Sequence, residues 1–519
     1  MLPAKVTARI ALAAALAALV AVSFAMRWHV LAGSPYPLGV DGYFYPIEVR
    51  SLLEHATLQY PASPLTFWWM LPFAAITDPI TGAKLGSALG GALIALPAFG
   101  VGARLGRSAG AGLVAAALAA TSAGSAYLSI EFVKQGVGLT VALAALWLVL
   151  RALERPSRGR IIAATLGFAA TLLAHKLAAG VLVAIALPAA LAEARTRLRG
   201  RRLIYAVLAG AAGAALLLVL GLVAPQRFAS LGDLGLLTRL VTAHARWDLP
   251  ALATRSFTLT MEHEALAGAA VALVAVLALA LPFGIAALTR RHVLARATGF
   301  AQRLVVDRSP AERVTAWAFV VLALVIGLPW LDVADPQGLA FRLRIAAFVP
   351  LAMCGAVAAA SLAPLLPRQR TAALAAVAVV IALRGSHERT EGRVLAHPAL
   401  VAAAMAATDQ IPSNATVVVP ERHIAFMVAW YSRKPVSLRP EPVPYARRVR
   451  LLPLAFTVAG SPLEQAIDAA RTTPGVEPPI GLHPRHRNGL VLVSEPTWDW
   501  MLARLPERDR RHFARWPTI

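Results

Sequence analysis

The chain has 519 residues, 58% of them hydrophobic, and a mean hydropathy of +0.64, where soluble globular chains run about 45–50% apolar. Its formal charge of +23 does not read as a nucleic-acid footprint, because the arginines stand between apolar blocks and not on one polar face. The single cysteine, Cys354, lies inside an apolar block and excludes a disulfide framework or a Cys-ligated metal centre.

Lys5 and Arg9 precede an apolar run that ends near Ala25. A cleaved signal peptide fits that local pattern, but the chain beyond it continues as membrane protein, so an uncleaved first helix is expected. Blocks free of ionisable residues recur at Ile10 to Met26, Gly110 to Ser129, Leu139 to Leu150, Ala206 to Ala224 and Ala265 to Leu288. A bilayer core needs about 20 apolar residues per helix. The pattern predicts spans near 8–28, 81–103, 109–129, 133–153, 161–175, 177–193, 203–223, 265–289, 313–331, 345–362 and 371–385, about eleven in all. Thr66 to Thr77 is too short to cross and reads as an interfacial or re-entrant helix. Ile161 to Glu193, broken by His175 and Lys176, reads as two short helices.

Loops bearing Arg104 and Arg107, Arg151 to Arg160, Arg195 to Arg202, Arg290 to Arg308, and Arg368 with Arg370 all come out cytoplasmic by the positive-inside rule. The fold class expected is an all-α polytopic membrane domain over residues 1–385, with an outer loop 32–82 that carries amphipathic helices. A small C-terminal α/β extracytoplasmic domain follows over 386–519. There Ala415 to Val419 and Leu490 to Val493 read as strands, and Ala399 to Gln410 and Leu463 to Arg471 as helices. The Ala- and Arg-rich, Lys-poor composition points to a bacterial cytoplasmic membrane.

Candidate chemistry collects on the outer side of that topology. Asp41 opens the first outer loop, beside Tyr43 and ahead of a helix in which Val49, Leu52, Leu53 and Ala56 share one face and Glu48, Ser51 and His55 another. Asp41-Gly42 is also a common turn dipeptide. Glu131 and Lys134 stand one helical turn apart at the outer end of a span, where they suit an ion pair as well as a site. His175 and Lys176 form the tip of the short hairpin. Arg342 and Arg344 open a late apolar helix after Asp332 and Asp335; arginine forks suit phosphate, and snorkelling to headgroups is the alternative. Carboxylates with phosphate-binding arginines on one face suit transfer from a phosphate-linked donor, with a carboxylate as general base and arginines on the leaving phosphate.

The pieces Asp41-Gly-Tyr-Phe-Tyr, Arg50-Ser-Leu-Leu-Glu, Pro61-Ala-Ser-Pro-Leu and Glu131 with Lys134-Gln-Gly-Val-Gly-Leu are similar to the GT-C superfamily of polytopic glycosyltransferases, which includes the protein O-mannosyltransferase, aminoarabinose transferase and oligosaccharyltransferase families. The resemblance implies a membrane glycosyltransferase using a polyprenyl-phosphate-linked sugar donor. Asp41 would be general base or metal ligand and Glu131 its partner. Arg342 and Arg344 would hold the donor phosphate, and His175, Lys176 and Tyr43 would line the site. The chain lacks a Trp-Trp-Asp signature, since Trp68-Trp69 is followed by Met70, and has no Asp-x-Asp in its first loop. A divalent cation, Mg or Mn, is therefore an open expectation at Asp41 and Glu131. Membrane lipids are expected partners, nucleic acid is not, and sugar and acceptor stay unnamed. Two other classes remain beside this reading: a transporter or lipid flippase, which predicts ionisable groups near the membrane midplane, and a non-catalytic envelope-assembly protein. Asn414-Ala-Thr and the His483–His486 pair carry no site, and the glycines from Gly82 to Gly91 read as helix packing.

Overall fold

A computed structural model describes residues 4–198, 201–224, 228, 256–290, 308–327, 339–362, 370–387, 398–410, 415–418, 422–433, 436–437, 447–453, 461–482 and 490–514. Asp332, Asp335, Asn414, His483 and His486 lie outside these residues. The chain divides into two compact units. One comprises Met1–Ala32, Tyr60–Met70 and Leu85–Glu391; the other comprises Gly33–Gln59, Leu71–Lys84 and Gly392–Ile519. Most of the first outer loop belongs with the C-terminal region and not with the bundle.

The first unit is built from helices. They are α1 (Ala4–Ala32), α4 (Pro79–Ala92, from Leu85 onward), α5 (Ala95–Leu105), α6 (Ala109–Ala120), α7 (Ala123–Leu128), α8 (Val133–Glu154), α9 (Arg158–Ala174), α10 (Lys176–Arg197), α11 (Arg201–Val223), α12 (Ser256–Arg290), α13 (Pro310–Gly327), α14 (Leu339–Arg344), α15 (Phe348–Leu362) and α16 (Arg370–His387). Among the described residues seven helical stretches are long and apolar enough to cross a membrane, and Leu65–Ile76, Ala109–Ala120 and Gly210–Val223 are shorter apolar helices. The chain is a polytopic helical membrane protein. At about 1.5 Å per residue, the 22 residues of α8 match a hydrocarbon core about 30 Å thick. The span expected over 109–129 is broken instead: α6 stops at Ala120, and the Ser122 side chain accepts from the Ser125 amide to start α7. Buried Leu105, Leu146, Phe319, Phe348 and Cys354 lie in one core, interleaved with alanines that let the helices approach closely.

The polar contacts of this unit gather at two ends. At one end meet the basic loops. Arg104 pairs with Glu154, and Arg107 lies 3.6 Å from Glu312. Arg308 donates to the Leu105 carbonyl at 2.6 Å. The Ala311 amide donates to Glu193 at 3.2 Å. At the opposite end of α5, α8 and α10 lie the turn from Ser129 to Phe132, the break at His175, and α14.

The second unit carries a five-stranded mixed sheet of order β2-β1-β3-β5-β4, made of β1 (Ala415–Val418), β2 (Val436–Ser437), β3 (Arg447–Pro453), β4 (Ile480–Leu482) and β5 (Leu490–Ser494). β1 runs parallel to β2 and β3, with Val417 opposite both Val436 and Val449. β5 runs antiparallel to β3 and β4. Helices α17 (Pro398–Gln410), α18 (Arg422–Ser432), α19 (Pro462–Thr472), α20 (Glu495–Leu502) and α21 (Glu507–Ala514) complete the region. Leu463, Ile467, Val491, Trp498 and Met501 form its apolar core.

The outer loop supplies α2 (Phe44–His55) and, from Leu71, the end of α3 (Leu65–Ile76), which turns back along α4. A Cβ on Gly82 would stand 2.3 Å from the Ala74 Cα, so only glycine allows that return. The two faces expected of α2 are only partly kept: Val49 is buried and His55 exposed. Glu48 and Ser51 are buried while Leu53 is exposed. The Gln59 amide donates to the Glu48 carboxylate at 2.8 Å, and Ser51 donates to the Thr57 carbonyl at 2.7 Å. The polar side chains point inward because they satisfy the backbone that follows the helix.

Candidate functional site

The turn between α7 and α8 presents Glu131. Ser129, Ile130 and Glu131 close back on Ala126 and Tyr127 through backbone bonds of 2.9–3.1 Å, and α8 begins at Val133. Two further helices hold this turn. Ser87 of α4 donates to the Ser129 carbonyl at 2.6 Å, and Arg27 of α1 donates to the Ser129 hydroxyl at 3.1 Å. Glu131 is buried, 8% exposed.

Arg342 is brought to the same turn. Gln135, one helical turn after Glu131, donates its side-chain amide to the Arg342 carbonyl at 2.8 Å. The Arg342 guanidinium lies 5.3 Å over the Phe132 ring, in cation–π range. Phe132, Tyr127 and Phe341 pack mutually at 6.1–6.5 Å between ring centres. The structure therefore joins Glu131 and Arg342, which the sequence separates by two hundred positions, through the aromatic residue beside each. Arg344 is buried, 5% exposed.

His175 occupies the break between α9 and α10, outside both helices. A Cβ on Gly138 would stand 2.6 Å from the His175 Cβ, so His175 leans directly on α8. Burial, then the charges of Lys134, Arg342 and Lys176, push the imidazole down to about 3. Three cations thus act on one neutral histidine. Glu264 of α12 organises the other side of α7. Its carboxylate accepts from Ser122 at 2.8 Å and from the Ala123 and Gly124 amides at 2.7 and 3.1 Å. This charged cap takes the first amides of α7, beside the Ser122 side chain that already accepts from the Ser125 amide. A Cβ on Gly124 would stand 2.5 Å from the Ile345 carbonyl, just past Arg344.

Asp41 and Tyr43 belong to the second unit. Asp41 sits in the turn that opens α2, its carbonyl accepting from the Phe44 amide at 3.0 Å. Tyr43 is 4% exposed; its hydroxyl lies 3.1 Å from that of Tyr431, and burial with this bond raises its pKa. Around it, Arg50 donates to the Trp430 carbonyl at 2.9 Å and lies 4.2 Å over the Trp430 ring, and Phe44 packs on Phe426 at 5.1 Å. The Tyr43 hydroxyl thus meets α18, a helix of the C-terminal region. Among the described residues no three His, Cys, Asp or Glu side chains converge as metal ligands.

Three residues of this arrangement were not singled out from sequence. Arg27 had a usable signal, a charge within an otherwise apolar first span. Gln135 and Glu264 had none beyond polarity near a helix end.

No protein-family model and no curated protein matches the chain. Among solved structures it is similar to the crystal structure of ArnT from Cupriavidus metallidurans, in the apo state and bound to undecaprenyl phosphate. Each comparison gives a TM-score of 0.48 and 13% identity over 94% of this chain and 98% of that one.

Proposed function

We propose that this protein is a GT-C-like membrane glycosyltransferase that moves a sugar from a polyprenyl-phosphate-linked donor to an acceptor at the outer face of the bacterial cytoplasmic membrane. The observation that carries the reading is the seating of Arg342 against the Glu131 turn, its carbonyl accepting from Gln135 and its guanidinium over Phe132, with Lys134 in the first turn of α8. Such a cation group, set at the end of apolar helices, suits a phosphate whose lipid tail lies among them. In the reaction the bond between the sugar's anomeric carbon and the phosphate oxygen breaks as the acceptor's oxygen or nitrogen attacks. The acceptor proton passes to a carboxylate, and the cations stabilise the departing polyprenyl phosphate. Asp41 as that base, and Glu131 as its partner, rest on the sequence resemblance. The same resemblance would place a divalent cation at these carboxylates, and no step above depends on one. In this orientation the arginine-rich end faces the cytoplasm and the α/β region lies outside.

The test is binding of a polyprenyl phosphate to protein in nanodiscs, with the uncharged polyprenol as control. Arg342→Ala is expected to weaken phosphate binding by about tenfold or more, the equivalent of about 1.4 kcal/mol, and to leave the polyprenol unaffected. Equal binding by both proteins would overturn the reading. Asp41→Asn is expected to abolish sugar transfer while leaving that binding intact.

A further inference from the structure

Arg27 is 1% exposed within the first span, where an ionisable side chain is costly and calls for an explanation. Among the described residues its hydrogen-bond partners are all neutral. Nε donates to the Ser129 hydroxyl at 3.1 Å. One terminal nitrogen donates to the Ser23 carbonyl at 2.9 Å, to the Ser23 hydroxyl, and to the Ala120 carbonyl at 3.1 Å. The other donates to the Ser125 hydroxyl at 2.7 Å. One guanidinium thus ties α1 to the end of α6, to the middle of α7 and to the turn two residues before Glu131. Lysine, with a single nitrogen, cannot reach this set.

The opposite wall fits the same group. A Cβ on Gly91 of α4 would stand 2.3 Å from the Ser129 hydroxyl and 2.8 Å from Arg27 Nε. Ser87, one turn earlier on α4, holds the Ser129 carbonyl from that side. Ser129 is therefore fixed at both its hydroxyl and its carbonyl, by two helices distant in sequence.

From this we infer that Arg27 is a positioning residue: through Ser129, and in the space left by Gly91, it sets where the Glu131 carboxylate stands. The importance of that placement rests on the role given to Glu131 above, but the placement itself is measured without any activity. In a chain carrying Cys354→Ala, a cysteine is placed at 131 (Glu131→Cys) or, as control, at the arginine end (Ser108→Cys). Maleimide labelling rates are then compared with and without Ser129→Ala, Gly91→Ala or Arg27→Met. The expected result is a several-fold change at 131 for each of the three, no change at 108, and an effect of the Arg27→Met and Ser129→Ala pair smaller than the product of the single effects. Ser129→Ala and Gly91→Ala are mild enough to test the inference if Arg27→Met fails to insert. An unchanged rate at 131, or equal changes at 131 and 108, overturns the inference. Loss of the polyprenyl phosphate result while the rate changes at 131 are still seen would sink the proposed function alone.

Discussion

At the scale of single residues, His175 shows how burial and charge combine. An imidazole titrates near 6.5 when free; here burial and three cations hold it down to about 3. Its folded pKa lies below its unfolded one, so between about 6.5 and 3 the unfolded chain binds a proton that the folded chain refuses, and stability falls as pH drops through that window. His175→Gln is therefore expected to flatten the dependence of melting temperature on pH between 7 and 5, read by thermal unfolding in detergent. A slope equal to that of the parent protein would contradict the assignment. Reading this residue from sequence located it at a hairpin tip but not its state, because Lys134 and Arg342 come from helices far away in the chain. Arg342 and Glu131 were both legible as charges at helix ends; the contacts of Phe132, Phe341 and Gln135 that join them depend on packing that has no local signature.

At the scale of elements, short helices carry much of the organisation. The six-residue α7 is held at its start by Glu264. Glu264→Gln keeps one acceptor but removes the charge, and is expected to cost about 1–2 kcal/mol, visible as a lower denaturation midpoint. The apolar run from Gly110 to Ser129 gave no hint of the break at Thr121 and Ser122, because neither Gly nor Pro marks it; two small hydroxyl residues suffice when one caps the next helix. The arginine loops were legible because charge bias is a local property. The burial of Glu48 and Ser51 on α2 was not, because they turn inward only to meet the backbone at Gln59 and Thr57. Along the turn from α3 to α4, Gly82→Ala is expected to destabilise by about 1–3 kcal/mol through overpacking on the Ala74 backbone. Thermal unfolding checks this, with a substitution at Gly180, where a Cβ meets nothing within 4 Å, as the neutral comparison.

At the scale of the whole molecule, alternation of apolar blocks and arginine loops foretold a polytopic bundle, and punctuation beyond it foretold an α/β region. The sheet kept β1 and β5 where sequence placed them, and added β2, β4 and β3, the last with an Arg447-Arg448-Val-Arg start that hid a strand behind charge. What periodicity did not disclose is that Gly33–Gln59 joins Gly392–Ile519 in one unit, through α2 on α18. Removing residues 392–519 should leave the bundle's melting behaviour largely intact while the loop carrying Phe44, Ile47 and Val49 becomes susceptible to limited proteolysis. A loop equally resistant in the truncated protein would argue against that dependence.

This interleaving sets a timetable for synthesis. Roughly 380 residues are made between the end of α2 at His55 and the end of α18 at Ser432. At about 5–20 residues per second, α2 emerges on the order of 20–75 s before the helix it packs against exists. For that interval Phe44, Tyr45 and Ile47, all buried in the finished protein, have nothing of their own unit's C-terminal part to cover them. A ribosome that stalls late in translation would thus leave behind an inserted bundle bearing an adhesive loop, which is the kind of product that quality-control proteases remove.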